Sequence, residues 1–132
     1  MWVHVAVGAV YRQGAILIAR RHAHRHMGDR WELPGGKVEA GETAKQALTR
    51  ELREEVAIRV TQLQPLVEIR HDYGDKRVLL DTWWVTGFDG EPSGAEGQEV
   101  RWVPVESLGE FRFPDANLAI IEAIRAQVLA GC

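Results

Sequence analysis

Residues 50–55 read Arg-Glu-Leu-Arg-Glu-Glu, which sets Glu51 and Glu55 four apart with Glu54 beside them. On a helix, at about 100° per residue, Glu51 and Glu55 fall within about 40° of each other. Leu48 and Ala44 share that sector, so both carboxylates lie on the side that should face the protein. Like charges at this spacing destabilise a helix by about 0.2–0.5 kcal/mol in water, and burial makes the conflict worse. A divalent cation removes it, because Mg²⁺ requires hard oxygen ligands clustered on one rigid element. The plain alternative is a solvated face of i,i+4 ion pairs. Arg50 and Glu54 fit that pattern on the outer side, but Glu51 and Glu55 join it only if Leu48 turns outward. Just upstream, Pro34-Gly35-Gly36 permits a tight path that brings bare carbonyls and amides towards the same cation and a phosphate chain. These residue types together point to metal-assisted chemistry on phosphates.

The elements that must position these groups follow from pattern. Thr43 with Gln46 three residues later forms a capping-box pattern, and 44–56 holds only residues compatible with a helix. Residues 3–7 alternate and are rich in β-branched types. After the Gln13-Gly14 turn signal a second apolar run covers 15–19, so the chain opens on two strands. Residues 20–30 form a polar, basic loop. Within it His22, His24 and His26 alternate, a pattern read as contact with phosphate or solvent rather than as a zinc cluster. Longer strands are predicted at 63–69 and 78–86, joined through Tyr73-Gly74-Asp75, with at least one of Trp83 and Trp84 in the core. A glycine- and acid-containing loop follows at 87–97, then a strand at 100–103 closed by Pro104, one helical turn at 105–108, and a helix over 118–129. Strands, a helix, more strands and a final helix predict an α+β fold, a mixed sheet covered by helices.

Composition narrows the function classes. The chain has 132 residues, the size of one domain, and no repeat or linker divides 1–132. A net charge of −3 argues against a binder of nucleic-acid polymers, which needs a basic face. A hydrophobic fraction of 45% with 27% charged residues excludes a disordered chain. The apolar start, residues 2–11, is interrupted by His4 and lacks the features of a leader or membrane span. It reads as a buried strand. The single cysteine, Cys132, predicts a reducing, cytoplasmic setting. No obligatory protein partner is indicated.

The spaced series Gly36, Glu42, Arg50-Glu51-Leu52, Glu54-Glu55 and Ala57-Ile58 resembles the signature box of the Nudix hydrolases. That box reads glycine, five residues, glutamate, seven residues, then Arg-Glu-hydrophobic-x-Glu-Glu-x-Gly-hydrophobic. One position departs: Ala57 stands where the box has a glycine that leaves the helix with positive φ, which predicts a strain of about 1 kcal/mol or a different exit. The likeness continues through Ala6-Val7-Gly8, Arg20-Arg21, His26-Met27, Pro34-Gly35-Gly36-Lys37, Glu91-Pro92, Glu96-Gly97-Gln98-Glu99 and Phe113-Pro114-x-Ala116-Asn117. These stretches are similar to the MutT branch of that family, the 8-oxo-dGTP pyrophosphohydrolases.

The resemblance implies a Nudix-type α/β/α sandwich and attack by water on a nucleoside triphosphate, giving a monophosphate and pyrophosphate. It implies Mg²⁺, with Mn²⁺ as a substitute, held by the Gly35 carbonyl, Glu54, Glu55 and Glu96. Glu51 is the favoured general base and also a candidate ligand, Glu96 is the second candidate base, and Arg50 with Glu42 orients the carboxylates. Substrate contacts are implied for Arg21, His26, Glu32, Leu33, Pro34, Gly35, Lys37, Tyr73, Asp75, Leu80 and Asn117. On sequence alone Asn117 reads equally as the N-cap of the final helix. The expected substrate is 8-oxo-dGTP, a small nucleotide. The alternatives are CTP or dCTP, a dinucleoside polyphosphate suggested by Tyr73, or a non-catalytic nucleotide-binding domain. The intact carboxylates Glu51, Glu54 and Glu55 favour the enzyme.

Overall fold

The structure, a computed structural model, describes residues 2–20 and 30–130. Among these the order is β1 (Val3–Arg12), β2 (Ala15–Arg20), β3 (Trp31–Glu32), β4 (Gly35–Lys37), α1 (Ala44–Val56), β5 (Arg59–Asp72), β6 (Arg77–Asp89), β7 (Val100–Pro104), a 3₁₀ turn (Val105–Glu110) and α2 (Asp115–Leu129). The α+β expectation holds. The sheet runs β3-β2-β1-β6-β5, with β4 also on β1 and β7 also on β2. It is mixed, because β1 and β6 are parallel whereas β1 is antiparallel to both β2 and β4.

Alternation along β1 assigns its two faces to two helices. Ala6 and Val10, with Leu17 of β2, pack in one cluster with Ala47, Leu48, Leu52 and Val56 of α1. Val7 and Ala9, with Ile16 and Ile18, pack in the other with Ala116, Ile120, Ile121 and Ile124 of α2. This is an α/β/α sandwich. Full burial of Leu48 and Leu52 contributes about 1.5–3 kcal/mol each before entropy is counted. Gly8 lets α1 sit close on the sheet, because a Cβ there would lie 3.2 Å from a methyl of Leu52 and 3.3 Å from one of Leu48. Among the described residues no helix is long and apolar enough to cross a membrane.

Several boundaries differ from expectation. Strands β5 and β6 extend well past 63–69 and 78–86, because their polar ends pair across the hairpin from Arg59–Asp89 to His71–Val78 and Asp72–Arg77. Arg59 and Asp89 add an ion pair of 2.8 Å at the outer end. Pro65 is tolerated because β5 is the edge of the sheet and register shifts flank the proline. Helix α2 starts at Asp115, directly behind Pro114, rather than at 118. Trp84 is the core member of the tryptophan pair and stacks on Tyr11 at 4.9 Å. Trp83 is half-buried, with the Lys45 ammonium 5.5 Å from its ring centre.

Ala57 adopts the left-handed exit of the box glycine, with φ 62° and ψ 33°. Its N–H donates to the Arg53 carbonyl at 3.2 Å, and the Ile58 N–H donates to the Leu52 carbonyl at 3.3 Å. The helix end is closed as a glycine would close it, and the Cβ bears the strain. Ala57→Gly is therefore expected to stabilise the protein by about 0.5–1 kcal/mol, the lost strain outweighing the added chain entropy. A urea titration at neutral pH measures this; an unchanged or lower midpoint would refute the strain.

Candidate active site

The carboxylate helix is fixed at its start by a reciprocal cap. The Gln46 N–H donates to Thr43 Oγ1 at 3.2 Å, and the Thr43 N–H donates to Gln46 Oε1 at 2.9 Å. Burial of Leu48 and Leu52 then sets the rotation. Glu51 faces β4 and packs against Gly36, where any Cβ would overlap its carboxylate; at Gly35 a Cβ would overlap the Ala6 carbonyl. The glycine pair is thus needed on both sides of β4, which pairs Gly35 with Val7, Gly36 with Ala6 and Lys37 with Val5. The Pro34 carbonyl accepts from Gly8 N–H at 2.8 Å and fixes the entrance to this strand.

Arg50 holds the surrounding acids. Its Nε and Nη2 donate to the two oxygens of Glu42 at 2.7 and 3.0 Å. Its Nη1 donates to Glu51 at 3.0 Å and Glu54 at 3.3 Å, and its Nη2 also donates to the Lys37 carbonyl at 3.2 Å. Glu42 accepts in addition from the Glu39 N–H at 3.0 Å. The Arg50 hydrogen bonds and then the Glu39 amide bring the Glu42 carboxyl down to about 2. The guanidinium itself is pushed further up, by Glu42 first and then Glu51. For Glu51, burial is the larger influence and raises its carboxyl, with Arg50 opposing and Glu54 and Glu96 adding to the rise.

Glu55 lies in a different field. Only 8% of it is exposed, and burial first, then Glu32, with smaller contributions from Glu51 and Glu96, pushes its carboxyl up to about 8. The Gly35 amide opposes this. The Glu96 loop is bound to the end of α1. The Ser93 N–H donates to the Val56 carbonyl at 3.0 Å and the Ala95 N–H to the Glu55 carbonyl at 3.1 Å. Gln98 completes the clamp, its Nε2 donating to the Glu55 carbonyl at 2.9 Å and its Oε1 accepting from the Glu96 N–H at 3.0 Å. Gly94 is the loop's tight point, since a Cβ there would overlap the Gln98 carbonyl. Neither Gln98 nor Gly94 was given a role from sequence. A short amide side chain two residues beyond a glycine-flanked acid is the signal that could have marked them.

These groups fit a divalent cation by the chemistry of their donors: a buried carboxylate crowded by other carboxylates. Among the described residues no three His, Cys, Asp or Glu side chains stand within ligating reach of one another. Glu54 is turned to Arg50 and is more than half exposed.

On the other face of β1 the structure brings Tyr73, Leu80 and Asn117 together around a cavity of about 100 Å³, with Val5, Lys76 and Ala116 also in its walls. Asn117 is the third residue of α2 and not its cap, so its amide is not used for capping. Asp75 is exposed in the hairpin turn and does not line the cavity. Leu33 and Pro34 are buried, Leu33 in the α2-side core. Glu32 acts on Glu55, whereas Lys37 is exposed and contributes its carbonyl to Arg50. Arg21 and His26 lie outside the described residues, as do His22 and His24.

A three-layer fold with an acidic helix set against a glycine strand defines an enzyme class that works on phosphates. The chain belongs to the NUDIX domain family, whose model matches residues 6–123, and it is a Nudix hydrolase. It is 37% identical to the 8-oxo-dGTP diphosphatase of Escherichia coli K12 over 93% of this chain and 96% of that protein. It is 32% identical to the CTP pyrophosphohydrolase of the same organism over 94% of this chain and 92% of that one. A solved structure from work on MutT of Aliivibrio salmonicida and Vibrio cholerae superposes with a TM-score of 0.86 at 40% identity, covering 96% of this chain and 99% of its own. Nudix hydrolases generally use a divalent metal.

Because Glu42 titrates below its ordinary value of 4.5 in the folded protein, its contribution to stability is complete above that pH. It is lost as pH falls through about 2. The difference in urea midpoint between wild type and Glu42→Gln should be largest near neutral pH and close as the pH drops through this window. A difference constant across the window would refute the assignment.

Proposed function

We propose that the chain, acting as one domain over 1–132 in the cytoplasm, hydrolyses 8-oxo-dGTP to 8-oxo-dGMP and pyrophosphate, removing oxidised guanine from the DNA precursor pool. The observation that carries this reading is the position of Asn117. Its amide, released from helix capping, offers a donor and an acceptor to a purine edge in the cavity shared with Tyr73 and Leu80. The similarity to the E. coli 8-oxo-dGTP diphosphatase over nearly the whole chain supports the same substrate.

Glu54, Glu55, Glu96 and the Gly35 carbonyl are assigned to hold Mg²⁺, with Mn²⁺ as a substitute. Bound there, the cation neutralises phosphate oxygens and makes water a better nucleophile. Glu51 is assigned as general base. Raised by burial, it takes the proton of the attacking water as the new P–O bond forms and the phosphoanhydride between the α- and β-phosphates breaks, giving the monophosphate and pyrophosphate. Glu96 is the second candidate for that proton. Arg50 keeps the carboxylates oriented and does not touch substrate. Gly35, Pro34, Leu33 and Glu32 border the phosphate path, with Lys37 as a countercharge; Arg21 and His26 are assigned to the nucleotide on resemblance. CTP is the second reading, favoured by the similarity to the CTP pyrophosphohydrolase.

The test is kcat/KM with Mg²⁺ for 8-oxo-dGTP, dGTP, CTP and a dinucleoside polyphosphate, side by side. A preference of orders of magnitude for 8-oxo-dGTP is expected, and flat or CTP-led rates would reject the substrate. Glu51→Gln should lower kcat by about 10²–10⁴-fold while leaving the fold intact. Glu55→Gln should abolish both metal-dependent turnover and the rise in Tm on adding Mg²⁺; a retained Mg²⁺ shift would reject the ligand assignment.

A further inference from the structure

Helix α2 begins without a side-chain cap. Its N-cap is Pro114, which makes no capping hydrogen bond, so the first-turn N–H groups need other partners. The Asn117 N–H donates to the Pro114 carbonyl at 2.9 Å. The Ala116 N–H donates to the Tyr73 hydroxyl oxygen at 3.1 Å, from a residue 43 positions away. That hydroxyl projects from the turn of the β5–β6 hairpin, which is itself pinned. The Tyr73 N–H donates to the Lys76 carbonyl at 2.8 Å, the Gly74 N–H donates to the Asp72 carboxylate at 2.8 Å, and the His71 ring packs 4.4 Å from the Tyr73 ring. Tyr73, Ala116 and Asn117 all line one cavity. The Tyr73–Ala116 bond therefore ties one wall of the cavity to the other, and the second wall carries the Asn117 amide.

We propose that Tyr73 is a specificity-positioning residue, whose hydroxyl stands in for the missing cap of α2 and so fixes both the width of the cavity and the direction of the Asn117 amide. This rests on the reading of the cavity as the base pocket. The tyrosine ring forms part of the wall, as a phenylalanine ring would; the hydroxyl is spent on the protein. Its removal leaves the carboxylates, on the opposite face of β1, where they are. The effect falls on selection of the base and not on the hydrolytic step.

Tyr73→Phe, Asn117→Ala and the double variant, assayed with Mg²⁺ on 8-oxo-dGTP and CTP, test this, together with hydrogen exchange at the Ala116 amide. Tyr73→Phe should speed that exchange and raise KM for 8-oxo-dGTP by about 3- to 10-fold, the range of one neutral hydrogen bond. The kcat should stay within about twofold, and the effect on preference should vanish in the Asn117→Ala background. Faster exchange with unchanged KM overturns the proposal, as does an effect that adds in full to that of Asn117→Ala. If Asn117→Ala alone leaves the preference between 8-oxo-dGTP and CTP unchanged, the base-pocket reading falls and the proposal falls with it.

Discussion

The hydrogen bonds of Arg50 are the constraint on which the site depends. One guanidinium meets both oxygens of Glu42, one oxygen each of Glu51 and Glu54, and the Lys37 carbonyl. Its planar fork presents five donors in fixed directions, which a lysine ammonium cannot match. The consequence is spatial more than energetic. The segment leaving β4, the turn before α1 and the second turn of α1 are drawn to one point. Glu51 is thereby pressed against Gly36, and the glycine strand keeps its register on β1. Surface ion pairs usually contribute little; this one matters because it joins three segments at one point.

The acids of this region differ in their nearest cation. Glu42, Glu51 and Glu54 all have the Arg50 cation beside them. Glu55 is pushed up by burial and by other carboxylates. A fold selected for stability alone would place an apolar side chain at that position, since an unpaired buried charge is costly. On the proposed reading, a carboxylate is kept there, in the field of Glu32, Glu51 and Glu96, because a cation would offset the cost on binding. The loop supports this view. Gln98 uses both ends of its amide to tie the Glu96 main chain to the main-chain carbonyl of Glu55, although 41 positions separate the two residues in sequence.

What the sequence made legible was local. The Thr43–Gln46 cap, the helical sector shared by Leu48, Glu51 and Glu55, and the Gln13-Gly14 turn each depend on a few neighbouring residues, and each is found as read. Of the two outcomes the sequence left open at Ala57, strain or a different exit, the strained left-handed exit is the one found. Features set by distant partners were not legible. The ends of β5 and β6 are polar and become strand only because each finds the other across the hairpin. The start of α2 was misread because its first buried residue, Ala116, is small, and because its capping oxygen comes from Tyr73 rather than from the adjacent chain. That error matters for function: Asn117 reads as a cap only if the helix begins after it.

The placement of the carboxylates and the Asn117 cavity on opposite faces of one strand has a mechanical consequence. Side chains of consecutive β1 residues point to opposite layers: Ala6 packs with α1, and Val5 borders the α2-side cavity. The carboxylates are fixed by α1, β4 and the 90–99 loop, whereas the cavity is fixed by the hairpin turn and the first turn of α2. Between them runs β1, which is clamped by β4 and β6 along most of its length. A rigid shared strand transmits little displacement, so a change in the cavity wall need not disturb the carboxylate geometry. On the proposed reading of the cavity as the base pocket, this arrangement would let one metal-assisted reaction be retained while the base it serves is altered from the other side of the sheet.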